Sequence, residues 1–86
     1  MNLFRSIKFD IDVKSTNTLL LSVYNYTIAN KVNDHLKRYG GHKFQKGEEA
    51  SFSITAREFD EIHESLGLST SFVSRIKNMF KNGFQI

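Results

Sequence analysis

Cysteine, proline and tryptophan are absent from the 86 residues, and only five glycines are present. Without cysteine there is neither a disulfide scaffold nor a thiolate metal site, which excludes the small secreted disulfide domain and the zinc finger. A reducing, cytoplasmic setting is therefore expected. Long apolar runs are missing too: the longest, Leu19-Leu20-Leu21, falls far short of the roughly 20 residues of a membrane span. Met1 to Leu3 leads directly into an alternating pattern and not into a signal peptide, so no membrane partner is expected. Bulk is the last shortage. A chain this short buries only about 60% of the surface its unfolded form exposes. One small domain over residues 1–86 is expected, with little material for a deep substrate cleft or a cofactor fold.

What is present is an uneven distribution of charge. Twelve bases against nine acids leave a net charge of +3, which is compatible with nucleic acid without requiring it. Residues 1–45 carry seven bases and three acids, whereas residues 46–64 carry two bases, Lys46 and Arg57, and six acids. From Ser65 onward there are three bases, Arg75, Lys77 and Lys81, and no acid. A purely basic C-terminal segment thus follows an acidic one.

Ile7, Phe9, Ile11 and Val13 alternate with Lys8, Asp10, Asp12 and Lys14, the period of two that gives a strand one apolar face. Ser15-Thr16-Asn17 is turn-forming, and residues 18–26, with Val23, Tyr24 and Tyr26, suit a second strand of a hairpin. Leu19, Val23 and Tyr26 also satisfy helical spacing, so a helix over 18–39 is the competing reading. Thr27 suits the cap of a helix whose inward face is Ile28, Val32, Leu36 and Tyr39. Gly40-Gly41 ends it, with Lys37 and Arg38 complementing the negative end of its dipole. Residues 42–44 and 50–54 flank Gln45-Lys46-Gly47-Glu48-Glu49 as a second hairpin with Phe44 and Phe52 inward. Thr55-Ala56-Arg57-Glu58 has the form of a capping box. Phe59, Ile62 and Leu66 mark the helix that follows, Gly67 breaks it, and Ser69 or Thr70 caps another carrying Phe72, Val73, Ile76, Met79 and Phe80. The expectation is a small α+β domain ordered β-β-α-β-β-α-α, with hairpins and one helix over residues 1–54 and a helical pair over 55–82.

That pair carries the most informative run, Gly67-Leu68-Ser69-Thr70-Ser71-Phe72-Val73-Ser74-Arg75-Ile76. It resembles the helix-turn-helix of bacterial and phage DNA-binding proteins, in particular the Gly-Val-Ser…Val-Ser-Arg-Val run of LacI-type repressors, over residues 59–82. The resemblance implies that Gly67 permits the turn, Leu68 plugs the space between the helices, and Val73 and Ile76 pack back onto Ile62 and Leu66. It also implies that Ser69, Thr70, Ser71, Ser74, Arg75 and Asn78 lie toward duplex DNA. Hydroxyls then meet phosphates or base edges, Arg75 suits guanine or a phosphate, and Asn78 suits adenine. Lys77 and Lys81 supply sequence-independent attraction to phosphate. Two positions depart from the family pattern. His63 stands where alanine or glycine usually lets the helices approach, and Phe72 where a polar residue is common. Either the helices splay, or the pair is a helical corner that only packs.

Other constellations are weaker. His35, His42 and His63, with Asp34 or Glu64, show no His-x-x-x-His pair, so no metal is expected. The serines at 69–74 lack a nucleophile elbow, and Glu58, Asp60, Glu61 and Glu64 sit where a helix dipole favours acids. Gly40-Gly41 is too short to cradle phosphates. No catalytic residue and no cofactor are therefore expected. Tyr24, Tyr26, Phe44 and Phe52, near Lys43 and Lys46, offer a stacking platform for single-stranded nucleic acid, with core packing as the plainer use. The leading expectation is a non-enzymatic DNA-binding regulator of phage or mobile-element type, with the hairpins serving a homodimer. The alternative is a small phage-type inhibitor that binds a host protein or nucleoprotein complex, in host defence or transcription, through segregated charge or an exposed strand edge.

Overall fold

The computed structural model describes residues 3–82, with side chains from Phe4 to Phe80. Strands β1 (Leu3–Arg5), β2 (Phe9–Val13) and β3 (Thr18–Val23) come first, followed by helix α1 (Tyr26–Leu36) and strand β4 (Ala50–Thr55). Helix α2 (Ala56–Ile62), a 3₁₀ turn (His63–Leu66) and helix α3 (Thr70–Asn82) complete the chain. The class is α+β, as expected, but the order is β-β-β-α-β-α-α. The strands form one antiparallel sheet in the order β1-β2-β3-β4.

Strict alternation divides the sheet into two faces. Phe9, Ile11, Val13, Leu19, Leu21, Val23, Ala50, Phe52 and Ile54 are buried on one side. The register aligns Asp10, Ser22 and Ser51 on the other, with Asp12, Leu20 and Ser53 alongside. The helices cover the apolar face, adding Ala29, Val32, Phe59, Ile62, Leu66, Val73, Ile76 and Phe80 to the same core. Each Val, Leu, Ile or Phe among them contributes about 1.5–3 kcal/mol on burial. α2 packs beside β4 and α3 against β2, with α1 touching α2 and β3. No helix among the described residues is long and apolar enough to cross a membrane.

Four expectations are corrected. First, the strand expected over 7–13 begins only at Phe9, because a reversal separates it from an unexpected strand, β1. The Ser6 hydroxyl accepts from the Phe9 N–H at 3.0 Å and donates to the Phe9 carbonyl at 2.8 Å, closing a turn with Ile7 at its tip, 95% exposed. Second, the strand expected over 18–26 is present, against the competing helix, but it ends at Val23, and Asn25 caps α1 in place of Thr27, its Oδ1 accepting from the Ile28 N–H at 3.0 Å. Third, α1 stops at Leu36 because Lys37 adopts the left-handed conformation, at φ 57°. Val32 is buried and Ile28 and Leu36 pack half-buried against the core, as expected, with Ala29 and Asn33 buried as well, while Tyr39 lies beyond the helix and is 42% exposed.

Fourth, residues 42–44 are not a strand. The Asn30 side chain exchanges two hydrogen bonds with the Phe44 backbone, at 2.8 and 3.2 Å, in the place of a neighbouring strand. Buried Asn33 accepts from the Tyr39 N–H at 2.9 Å and donates to the carbonyls of Gly40 and His42. Two amides thus satisfy the connection that a hairpin was expected to satisfy. Phe44 and Phe52 are nonetheless inward, as expected. Glu48 holds the end of this connection, accepting from the Gln45 N–H and pairing with His42 at 3.1 Å. Those two contacts, the backbone N–H foremost, hold its carboxyl below the usual range.

The expected capping box is present: the Thr55 hydroxyl accepts from the Glu58 N–H at 3.1 Å and Glu58 accepts from the Thr55 N–H at 3.0 Å. Both Glu58 oxygens also accept from Arg38 Nη2, at 2.6 and 2.7 Å, and the same nitrogen approaches the Ser53 carbonyl at 3.3 Å. Tyr39 Oη accepts from the Ser51 N–H and donates to the Ser51 carbonyl, at 3.2 and 2.7 Å. Side chains therefore occupy the outer edge of β4, where another strand would otherwise add. Partial burial works to raise the Glu58 carboxyl. The Thr55 N–H, the Arg38 guanidinium and the Thr55 hydroxyl outweigh it, so the group lies below its ordinary range.

Glu58→Gln is expected to lower stability by about 1 kcal/mol in urea at neutral pH. A depressed carboxyl stabilises the fold above its unfolded-state value and loses that contribution as the pH falls through its folded value. The gap between wild type and E58Q, followed by urea denaturation, should therefore close in acid.

Candidate nucleic-acid interface

The helical pair begins at the capping box and turns at Gly67, whose φ of 69° suits glycine and whose N–H reaches the Glu64 carbonyl at 3.0 Å. The Ser69 hydroxyl accepts from the Phe72 N–H at 3.2 Å and so caps α3, with its own proton left to donate outward. Ile62, Leu66, Val73 and Ile76 are buried and Leu68 is half-buried against the core. Phe59 and Phe80 bring α2 and α3 together, ring centroids 6.2 Å apart. These are the inward positions of the expected turn.

The outward side of α3 carries Thr70, Ser71, Ser74, Arg75, Lys77 and Asn78, all exposed. Helical spacing sets Ser71, Ser74 and Asn78 along the ridge farthest from Val73, Ile76 and Phe80, with Lys77 and Arg75 on its opposite flanks. Lys77 turns toward α2, where its ammonium meets Asp60 at 2.5 Å. Arg75 turns toward β1, its guanidinium carbon 5.7 Å from the centre of the Phe4 ring. The Lys81 side chain lies outside the described ones.

Both departures from the family pattern have local accounts. Phe72 is half-buried because Phe4 covers it, ring edge to face at 5.0 Å. Half-buried His63 lies 5.8 Å from the Phe59 ring, and the α-helix gives way to 3₁₀ at this residue. Beside it a groove of about 350 Å³ opens between the 3₁₀ turn and α3, lined by His63, Glu64, Leu68, Thr70, Ser74 and Lys77 among others. Sequence reasoning missed Phe4, which clamps both Phe72 and Arg75, because β1 was not expected. Asp60 was noted only as a helix-dipole acid.

The other candidates are dispersed. Phe44 and Phe52 are buried, so of the proposed stacking rings Tyr24 and Tyr26 alone reach solvent. Tyr24 donates to Asp10 at 2.5 Å, and that hydrogen bond, aided by desolvation and nearby acid charge, raises its phenol above the ordinary value. Among the described residues no three of His, Asp and Glu gather in a way that would hold a metal ion. Compared with protein-family models, with curated proteins and with solved structures, the chain matches none.

Phe4→Ala removes the ring under Phe72 and Arg75 and should cost roughly 2 kcal/mol, below the full-burial value because Phe4 is half-exposed. Asp60→Asn breaks only an exposed pair and should cost less than about 1 kcal/mol. Chemical denaturation of the two variants orders them.

Proposed function

We propose that the protein is a small, non-enzymatic DNA-binding regulator that sets α3 against duplex DNA. The observation that carries this reading is the division of the helical pair. Its apolar positions enter the core, while an acid-free helix presents Thr70, Ser71, Ser74, Arg75 and Asn78 to solvent. Short hydroxyl and amide side chains let a backbone approach closely, and Arg75 at their flank offers the forked donor that suits guanine O6 and N7. One 13-residue helix provides few base contacts, so the reading includes a pair of copies on a two-fold site.

The reading is tested by selection from a random duplex library, followed by fluorescence anisotropy at graded salt. An enriched duplex should bind less tightly as salt rises, and Arg75→Ala should weaken it by about 1–3 kcal/mol. Failure to enrich any duplex, or binding indifferent to both salt and Arg75, overturns the proposal.

A second reading has its own observation. Glu61 and Glu64 are exposed on the elements that precede α3, and their charge repels phosphate but suits a basic protein surface. An inhibitor of a host protein would then use this acidic side. Stoichiometric co-purification of one host protein, with no duplex bound, would favour it.

A further inference from the structure

A second groove, of about 520 Å³, opens on the other side of the 3₁₀ turn, and its lining includes Lys8, Thr27, Lys31, Glu64, Ser65 and Gly67. Glu64 borders both grooves, so the turn that leads into α3 is the ridge between them. The bases of the protein are not equally available. Lys14 is held by Asp12, Arg38 by Glu58, Lys43 by Asp34 and Lys77 by Asp60. Lys8 and Lys31 are exposed, and neither has an ion pair among the described residues. They come from distant parts of the chain, the β1–β2 turn and α1, yet line one concave surface together with the hydroxyls of Thr27 and Ser65.

We infer that this groove holds the sugar–phosphate backbone of the same duplex whose bases face α3. The inference rests on the DNA-binding reading and extends its interface across the Gly67 turn. Ammonium groups attract phosphate as point charges, hydroxyls donate to its oxygens, and neither distinguishes one base pair from another. The groove therefore contributes affinity and register, and α3 contributes choice of sequence. Glu64 is the one acid among the lining residues, and its carboxylate opposes a phosphate lodged there. Removing its charge should thus act in the opposite direction to removing a lysine.

The test uses the duplex selected by the wild-type protein and an unrelated duplex of equal length, titrated between about 50 and 200 mM salt. The double variant Lys8→Gln, Lys31→Gln should weaken binding to both duplexes by the same factor. Its log–log salt dependence should be shallower by about 2, near one unit per lost phosphate contact. Glu64→Gln should tighten both duplexes. All substituted side chains are exposed, and far-UV circular dichroism checks that each variant is folded. Unchanged affinity and slope in the double variant, with no tightening in Glu64→Gln, overturns the inference alone if Arg75→Ala still weakens the selected duplex. If the wild-type protein binds no duplex, the DNA-binding reading falls and takes this one with it.

Discussion

The placement of α2, and through it of α3, depends on the Glu58 carboxylate. It accepts from the Thr55 N–H and, through both its oxygens, from Arg38 Nη2, and the same residue's N–H donates to the Thr55 hydroxyl. These contacts lie where β4 ends and α2 begins with no residue between them. A strand running straight into a helix needs its direction set at once, and a capping box sets it by satisfying donors that the first helical turn leaves over. The seven residues of α2 then lead into the 3₁₀ turn and Gly67. A change of angle at Thr55 would be carried to α3.

Arg38 can reach Glu58 only because the connection between α1 and β4 is itself held. That connection, residues 37–49, has no regular secondary structure, and loops of that length in compact domains are uncommon unless something orders them. Asn30 and Asn33, one turn of α1 apart, grip its backbone at Tyr39, Gly40, His42 and Phe44. Asn33 is buried with its amide satisfied, so the polar group is a clamp and not a penalty. Tyr39 also rests its ring on Phe44 and Phe52, at 5.2 and 5.5 Å. The hydroxyl of that ring then meets both backbone groups of Ser51. The route by which β4 gains a covered edge is also the route by which α2 is anchored.

Signals confined to a few consecutive residues were legible in the sequence. The Thr55–Glu58 box, the Gly67 turn and the alternation through Phe9, Ile11 and Val13 all stand as read, because neighbours in the chain decide them. Errors arose where a local pattern met a tertiary competitor. Ile7 continues the strand alternation, yet the Ser6 hydroxyl reverses the chain beside it. Residues 42–44 have the composition of a strand, yet their hydrogen-bonding partner is a side chain on α1. The same distinction runs through the candidate site. Helical spacing gave the apolar stripe of α3 and the family resemblance its outward residues, but neither showed that Arg75 stands over Phe4 or that Lys77 meets Asp60, since those partners lie on other elements.

The Lys77–Asp60 pair bears on how α3 could meet a polyanion. Both side chains are about half exposed, Lys77 at 49% and Asp60 at 56%. In such a setting a pair is worth about 0–1 kcal/mol, because water screens it and two long side chains must be ordered to make it. A phosphate offers the ammonium a charge of the same sign as Asp60 and releases a condensed counterion on contact. Exchange of one partner for the other is therefore nearly balanced, and the pair is no barrier to binding. Were a duplex bound there, exchange would leave a bare Asp60 beside it, together with Glu61 and Glu64, and that repulsion would extend over a Debye length of about 8–10 Å at ordinary ionic strength. Arg75, on the opposite flank of α3 and backed by the neutral Phe4 ring, has no ion pair among the described residues. Electrostatics thus makes the two flanks of α3 unequal, and a duplex settling on this helix, as proposed, would be drawn toward the β1 side.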